Sequence, residues 1–526
     1  MYKRRFLILF ILAFSHVAYS QSADDLKAIY DDLSVFEDGL ATQLKKRTKK
    51  SKIRKIGHPV IRNVAEQMRQ GKYETAYRID EYHAYLSPQT LGLQLSIGDG
   101  YSKYENITGI YLPKGEHIVL VNGIEKNKEV NLLIPNWDRH PPNEDDPSKD
   151  PKGWGIEREV FPLRNGVNVI RLENFGGLAY IGYYSDRPQD EPPVSIHFMN
   201  GEVNGYFDIR RHTDEDWDRL TAHQVYPMLD AIGDHIQVVY PKEAIQEYAT
   251  GRGVELISNY DSLVYRQHRL MGLVKYDKVP ENRILARVNY NYYMFRDGDG
   301  VAYMGGKKGN AMAMVVDPDR VIQGDPCWGF SHEVGHVHQL RPYLNWGGLG
   351  EVSNNIFSMY VTRSFGNPSR LQEQNNYEKV RNSIYGKNKC YLQDDDVFNR
   401  LVPFWQLHLY FSKIENREDF YADLFEALRQ QNEEERRGRR GWMSGSRGQN
   451  PAEYQLNFVK KVSEVGKVDL TEFFENYGFF YVGEFEFEDY GRYSYQMTQE
   501  MADQAKAEIK AMNLPKPKVD PSTLED

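Results

Sequence analysis

"GFSHEVGHVHQ" (residues 329–339) carries two histidines four residues apart, with a glutamate beside the first. Residues four apart share one face of a helix, so His332 and His336 can aim two imidazoles at one ion, about 2 Å from each nitrogen. Glu333 lies one step round the helix and can reach a water without ligating the ion. Two ligands and a general base are what metal-assisted hydrolysis requires. The bland alternative is three polar residues meeting on an ordinary helix, because so short a pattern arises by chance in long chains.

The residues that follow favour the metal. A catalytic zinc needs a third protein ligand and an open position. Pro342 and the cluster Gly347, Gly348 and Gly350 break the helix. "GEVSNNIFSMYVTRSF" (residues 350–365) then places Val352, Ile356, Met359 and Tyr360 at helical spacing. Glu351 is expected at the start of this second helix, facing back to the first. The reading is therefore one Zn2+ held by His332, His336 and Glu351, with Glu333 as the base. Two neutral imidazoles and one carboxylate leave a net positive centre, which lowers the pKa of a bound water. His338 falls on a different face, either behind the ligands or at the surface. Asn354 and Asn355 either orient Glu351 or cap and pack their helix. His408 lies on an apolar helix and reads as a satisfied core histidine rather than an oxyanion donor.

Working outward, residues 396–414 are apolar on most sides, as in a buried helix, and helices dominate from residue 326 onward. Residues 432–437 form a charged run expected at a solvated helix end. Residues 201–325 mix helices and strands, with strands expected over 287–317 and tight turns at Asp299-Gly300 and Gly305-Gly306. "AYMGGKKGNAMAMVV" (residues 302–316) is the candidate edge strand for pairing with a substrate backbone. Gly305 and Gly306 would permit close approach, or simply form a hairpin turn. Trp346 could stack on a sugar or pack inside.

Residues 107–123, 129–135, 166–174 and 177–185 are short β-rich runs between Gly, Pro and Asn turns. Their spacing predicts an antiparallel β-sandwich over 86–199, with 138–155 as an exposed loop. Residues 21–85 read as helical, from Leu26, Ile29, Tyr30, Leu33 and Phe36. Within them the basic run 45–55 is expected to be a solvated surface or linker. Lys3, Arg4 and Arg5, the apolar run 6–14 and the small residues Ala18 and Ser20 read as a signal peptide over 1–20, with an N-terminal anchor as the alternative. The domain plan is completed by a catalytic unit over 200–515 and a tail over 516–526.

The whole chain is consistent with this plan. Its 526 residues exceed one compact domain. With 40% hydrophobic and 13% aromatic residues there is ample core material. The formal charge is −9, and loss of the three N-terminal basic residues takes it to −12. Such a chain lacks the basic footprint of a nucleic-acid binder. Cys327 and Cys390 are too few for a thiolate zinc site and read as buried small hydrophobes rather than a disulfide.

"HEVGHVHQ" followed by "GEVSNNIFSMYV" resembles the enhancin-like zinc metallopeptidases, peptidase family M60. Gln339 and the Asn354-Asn355 pair fit the same pattern. The resemblance extends to "TGIYLPKGEHIVLV", "GYFDIRRHTDEDW" and "FEDYGRYSYQMTQEMADQAKAEI". It implies a multidomain α+β protein: an N-terminal helical segment, an antiparallel β-sandwich, and a gluzincin-type zinc metallopeptidase domain with a mostly helical C-terminal lobe. It also implies a secreted, periplasmic or cell-surface endopeptidase cleaving O-glycosylated, mucin-like proteins. The mature chain is expected to be a monomer without a membrane span. The rival readings are a glycan-binding surface protein with an idle peptidase domain, and a general zinc peptidase indifferent to glycans.

Overall fold

The computed structural model describes residues 23–306, 310–438 and 450–526. The expected signal peptide and residues 307–309 lie outside them. Among the described residues no helix is long and apolar enough to cross a membrane.

The N-terminal unit is built on a strict period of two. Ile79–Tyr82, Val194–Phe198, Gly115–Asn122 and Gly166–Leu172 form an antiparallel sheet in that order. Along Gly115–Asn122, Val119 and Val121 point to one face, while Ile118 and Leu120 point to the other. The second face is covered by the helices Ala23–Leu33 and Pro59–Arg69, the latter through Ile61, Val64 and Ala65. The first face shares its core with a second antiparallel sheet, ordered Arg158–Pro162, Val130–Pro135, Gly177–Tyr183, Asn106–Leu112 and Glu202–Val203. Two expectations are corrected here. Residues 79–82 are a strand of the first sheet rather than helix, and the run 107–123 divides into two strands that belong to different sheets.

The second sheet also alternates. Ala179, Ile181 and Tyr183 join the two-sheet core, whereas Leu178 and Tyr180 enter the large core of the C-terminal unit. Buried Tyr180 donates to Asp230 Oδ2 at 2.7 Å and accepts from Trp137 Nε1 at 2.9 Å. Burial pushes the Asp230 carboxyl up to about 7.

The C-terminal unit carries a mixed sheet of Phe207–Asp208 (β1), Met228–Ile232 (β2), Ile236–Pro241 (β3), Ile284–Asn289 (β4), Met294–Asp297 (β5) and Gly300–Met304 (β6). The order is β1-β2-β3-β4-β6-β5, so β5 is an edge. Against it lie Gly253–Leu270 (α1) and Gly324–His338 (α2); Ser353–Ser364 (α3) packs on both of these helices and Val397–Leu409 (α4) on α3, followed by Phe420–Gly438 (α5). Residues 311–316, expected as strand, form a short helix. "AMAMVV" is a short apolar run with no decisive period, and the structure buries it on the helical side. The mostly helical lobe also contains a hairpin, Gly483–Glu488 (β7) and Arg492–Met497 (β8), that the helical expectation missed. The loop 138–155 is more than solvent-exposed chain: Asn291 Nδ2 donates to Asp150 Oδ2 at 2.6 Å, and Trp154 stacks on Phe295 of β5 at 5.3 Å.

Candidate metal centre

Helix α2 presents His332 and His336 one turn apart, with ring centroids 4.8 Å from each other. Glu351 lies in the turn two residues before α3, not within the helix as its sequence position suggested. One ligand atom from each of the three residues lies within 4.8 Å of the other two, and among the described residues no other His, Cys, Asp and Glu group does this. Glu351 Oε2 is 3.0 Å from His332 Nε2, and Oε1 is 3.5 Å from His336 Nε2.

This convergence depends on a close helix crossing. A Cβ on Gly335 would lie 2.7 Å from the backbone oxygen of Asn354, so only glycine lets α3 lie this near α2. The connecting loop is pinned at both ends. Gln339 Nε2 donates to Gly350 O at 2.8 Å and to Ser353 Oγ at 2.9 Å. Asp489 Oδ2, at the tip of the β7–β8 hairpin, accepts from the amides of Gly348 and Gly350 at 2.8 and 2.9 Å.

The imidazole tautomers follow from the hydrogen bonds. Asn355 Nδ2 donates to the Glu351 carbonyl at 2.8 Å, which turns its Oδ1 towards His332 Nδ1, also 2.8 Å away. A carbonyl oxygen only accepts, so Nδ1 carries the proton and Nε2 holds a free lone pair. The same reasoning holds for His336, whose Nδ1 donates to Gln339 Oε1 at 3.1 Å, since the Gln339 amide is fixed by its own donations. Both Nε2 lone pairs therefore face the Glu351 carboxylate, as metal-ligating histidines require. Asn354 Nδ2 lies 3.1 Å from His336 Nε2 and 3.1 Å from both ring nitrogens of His332, while its Oδ1 is buried without a partner. That orphaned oxygen beside three converging ligand atoms marks a place that favours a cation. Two imidazoles and a carboxylate fit zinc.

A proton competes with a cation for the same Nε2 atoms. Burial alone would raise the Glu351 carboxyl, but hydrogen bonds and charge from His332 and His336 hold it well below the usual carboxylate range. Burial opposes charge on His332, yet the hydrogen bond with Glu351 and the charges of Glu333 and Glu351 leave its pKa raised. Glu333 is only 6% exposed, and burial, seconded by Glu351, raises its pKa against the pull of both histidines. It makes no hydrogen bond among the described residues, so its carboxylate is uncommitted.

Other expected site residues fall elsewhere. Trp346 is 1% exposed, packs between Phe404 and Phe458, and donates to Tyr391 Oη at 3.2 Å; it cannot stack on a sugar. Gly305 gives its amide to Asn289 O at 2.7 Å, and β6 is paired on both sides, so the free edge belongs to β5. Gly306 lines a cleft of about 310 Å³ with His140, Tyr290 and Met304. His338 is fully buried rather than at the surface, and its ring nitrogens bond Gln267 and Tyr101. His408 stacks on Trp405 at 4.5 Å, with its pKa pushed down to about 4 by burial. Cys327 and Cys390 are free and buried. One residue at the site was not anticipated: Tyr490, at the hairpin tip, donates its hydroxyl to Glu351 Oε1. A position 139 residues from its partner leaves no local signal.

Comparison with known proteins now bears on this geometry. The family peptidase M60, enhancin and enhancin-like, matches residues 202–478, and the N-terminal domain of M60-like peptidases matches residues 86–197. The chain belongs to the M60 peptidase family. A metallopeptidase from Bacteroides thetaiotaomicron aligns with a TM-score of 0.78 and 25% identity, over 97% of this chain and 83% of the other. A metallopeptidase in complex with Tn antigen aligns with a TM-score of 0.73 and 25% identity, over 87% and 81% of the two chains. TRPM8 channel-associated factor 3 of Rattus norvegicus is 23% identical over 293 residues, which are 55% of this chain but only 30% of that protein. Family and solved neighbours together place this M60 chain among the metallopeptidases, and the family implies a metal ion. The β7–β8 hairpin lies beyond the matched residues, although its tip reaches Glu351.

Proposed function

We propose that this M60 chain is a secreted zinc endopeptidase that cleaves O-glycosylated, mucin-like proteins. The observation that carries the reading is the convergence of His332, His336 and Glu351 around two committed tautomers, with an uncommitted Glu333 alongside. The reading includes a gluzincin-type catalytic unit over 200–515, a β-sandwich over 86–199 and a signal peptide over 1–20.

His332, His336 and Glu351 would hold the ion. Bound zinc supplies Lewis acidity that polarises a peptide carbonyl and makes water more acidic. Glu333 accepts the proton of the attacking water at its carboxylate and returns it to the leaving amine; its raised pKa brings it nearer the pH at which it must do both. Gln339 and Asn355 hold the imidazoles in the ligating tautomer throughout. The edge strand β5 runs beside α2 and offers backbone groups to an extended substrate. The Tn antigen complex of a neighbour supports a glycosylated substrate for this chain.

The deciding experiment is Glu333→Ala in the purified protein. Zinc content should stay near one per chain, while mucin cleavage falls by about 10²–10⁴-fold or more. Undiminished cleavage would remove Glu333 from the role of base. Comparing intact with deglycosylated mucin then separates a glycan-directed enzyme from a general peptidase.

A further inference from the structure

Tyr490 is 75% exposed, more than any other large apolar side chain among the described residues, yet its hydroxyl is turned inward onto Glu351 Oε1. Its backbone has φ +52°, in the left-handed region that a bulky residue rarely occupies. Such a conformation costs energy and persists only where the surroundings impose it. Here the hairpin tip is fixed on the loop that carries Glu351. The neighbouring Asp489 accepts from the amides of Gly348 and Gly350. A Cβ on Gly350 would lie 2.7 Å from Asp489 Oδ1 and 3.1 Å from Tyr490 Cδ2, and one on Gly347 would strike the ring of Tyr493. The loop is bare of side chains where the hairpin lies on it, so the tip rests directly against the turn before α3.

This places the hydroxyl at the centre itself. Glu351 Oε1, to which it donates, is 3.5 Å from His336 Nε2, and the charge of Glu333 also reaches the hydroxyl. It stands one hydrogen bond from the point where the three ligand atoms converge, and near the residue read as the base. The side-chain amides around it are already used. Gln339 Nε2 holds Gly350 and Ser353, Asn355 Nδ2 holds the Glu351 carbonyl, and Asn354 Nδ2 faces the imidazoles. The Tyr490 O–H is the donor here whose side chain can turn without repacking a core, because most of that side chain is in water.

We propose that Tyr490 is a catalytic residue, whose hydroxyl exchanges Glu351 Oε1 for the scissile carbonyl oxygen and donates to it as water attacks. The carbonyl carbon gains the water oxygen, the carbonyl π pair moves onto the carbonyl oxygen, and the water proton goes to Glu333. The phenol keeps its own proton throughout. A donor aimed at the oxygen where charge develops stabilises the transition state more than the bound substrate, so it acts on kcat rather than on KM. The proposal rests on the peptidase reading and is independent of glycosylation.

The test compares the unmodified full chain with Tyr490→Phe and with Arg492→Gln, an exposed control on the same hairpin, all loaded with zinc. Cleavage of an O-glycosylated mucin peptide gives kcat and KM separately. Calorimetry gives the binding of a phosphinic peptide, whose tetrahedral anionic phosphorus copies the attacked carbonyl. Elemental analysis gives the zinc retained. Tyr490→Phe should lower kcat by about 10²–10³-fold with KM nearly unchanged, and weaken the phosphinic peptide by at least about tenfold, while zinc stays near one per chain. Arg492→Gln should match the unmodified chain in all three. An unchanged kcat in Tyr490→Phe overturns the assignment and leaves the peptidase reading in place. A fall in kcat that excess zinc restores also overturns it, because Tyr490 is then a positioning residue for Glu351. A zinc-loaded unmodified chain that cleaves no peptide removes the peptidase reading itself, and the role of Tyr490 with it.

Discussion

Two histidine clusters meet near the end of α2, and they differ in what their nitrogens are free to do. In the first, His332 and His336 give their Nδ1 protons to side-chain amides, so both Nε2 lone pairs converge on a carboxylate. In the second, His338 Nδ1 donates to Gln267 Oε1 at 2.8 Å, and Gln267 is itself fixed by donating to Ser331 O. His338 Nε2 must then accept from Tyr101 Oη at 3.0 Å. That commits the only tyrosine proton, so His268 Nε2 donates to the same oxygen at 3.0 Å and its Nδ1 is left as a buried, unpartnered acceptor. The second cluster contains as many imidazoles as the first but spends their lone pairs on a phenol and lacks a carboxylate. Residue type alone does not make a metal site; the difference lies in which atom the neighbouring amides and hydroxyls leave unused.

The sharpest way to break this comparison is to remove one imidazole from each cluster. His336→Ala should reduce bound zinc from about one per chain to almost none, read by elemental analysis after dialysis, whereas His338→Ala should retain it. Equal zinc loss in both variants would erase the distinction. Next in size is the orienting amide: Asn355→Ala should weaken zinc about 10–100-fold in a chelator competition, because His332 loses its fixed tautomer.

A third prediction concerns pH. Burial pushes the His338 pKa down to about 3, below its ordinary unfolded value near 6.5. The unfolded state therefore binds a proton that the folded state does not between those limits. The stability due to the neutral histidine is fully present above about pH 6.5 and is lost as pH falls towards 3, at about 1.4 kcal/mol per unit. His338→Gln should flatten the fall in urea midpoint below pH 6.5 by roughly one proton; an unchanged slope would show that His338 is protonated in the fold. The smallest effect is expected from Tyr490→Phe, which removes one hydrogen bond to Glu351 and should alter zinc affinity by less than about tenfold.

How much of this was legible follows from chain distance. His332, Glu333, His336 and Glu351 fall within twenty residues, and helix geometry with a glycine break is enough to bring them together. Asn355 and Gln339 could be seen as candidates, but their roles depend on hydrogen-bond direction, which a sequence does not carry. Trp346 looked available because it sits between ligands; the aromatic residues that bury it, Phe404 and Phe458, come from helices far along the chain. Gly305 looked like an edge because β5 and β6 are adjacent in sequence, and nothing local shows that the chain order reverses and places β5 outside. The alternation of Ile118 and Leu120 against Val119 and Val121 marks a strand, but being apolar on both faces it does not reveal which core lies on which side.

The carboxylate of Asp489 on the amides of Gly348 and Gly350 also sets an order in time. The loop that carries Glu351 is fastened by a residue synthesised 138 positions later than the glutamate it supports. A growing chain therefore carries both histidines and Glu351 long before the clasp that steadies them exists. For a hydrolase made in the presence of its maker's own proteins, the last part of the centre to be secured is also the part that is translated late.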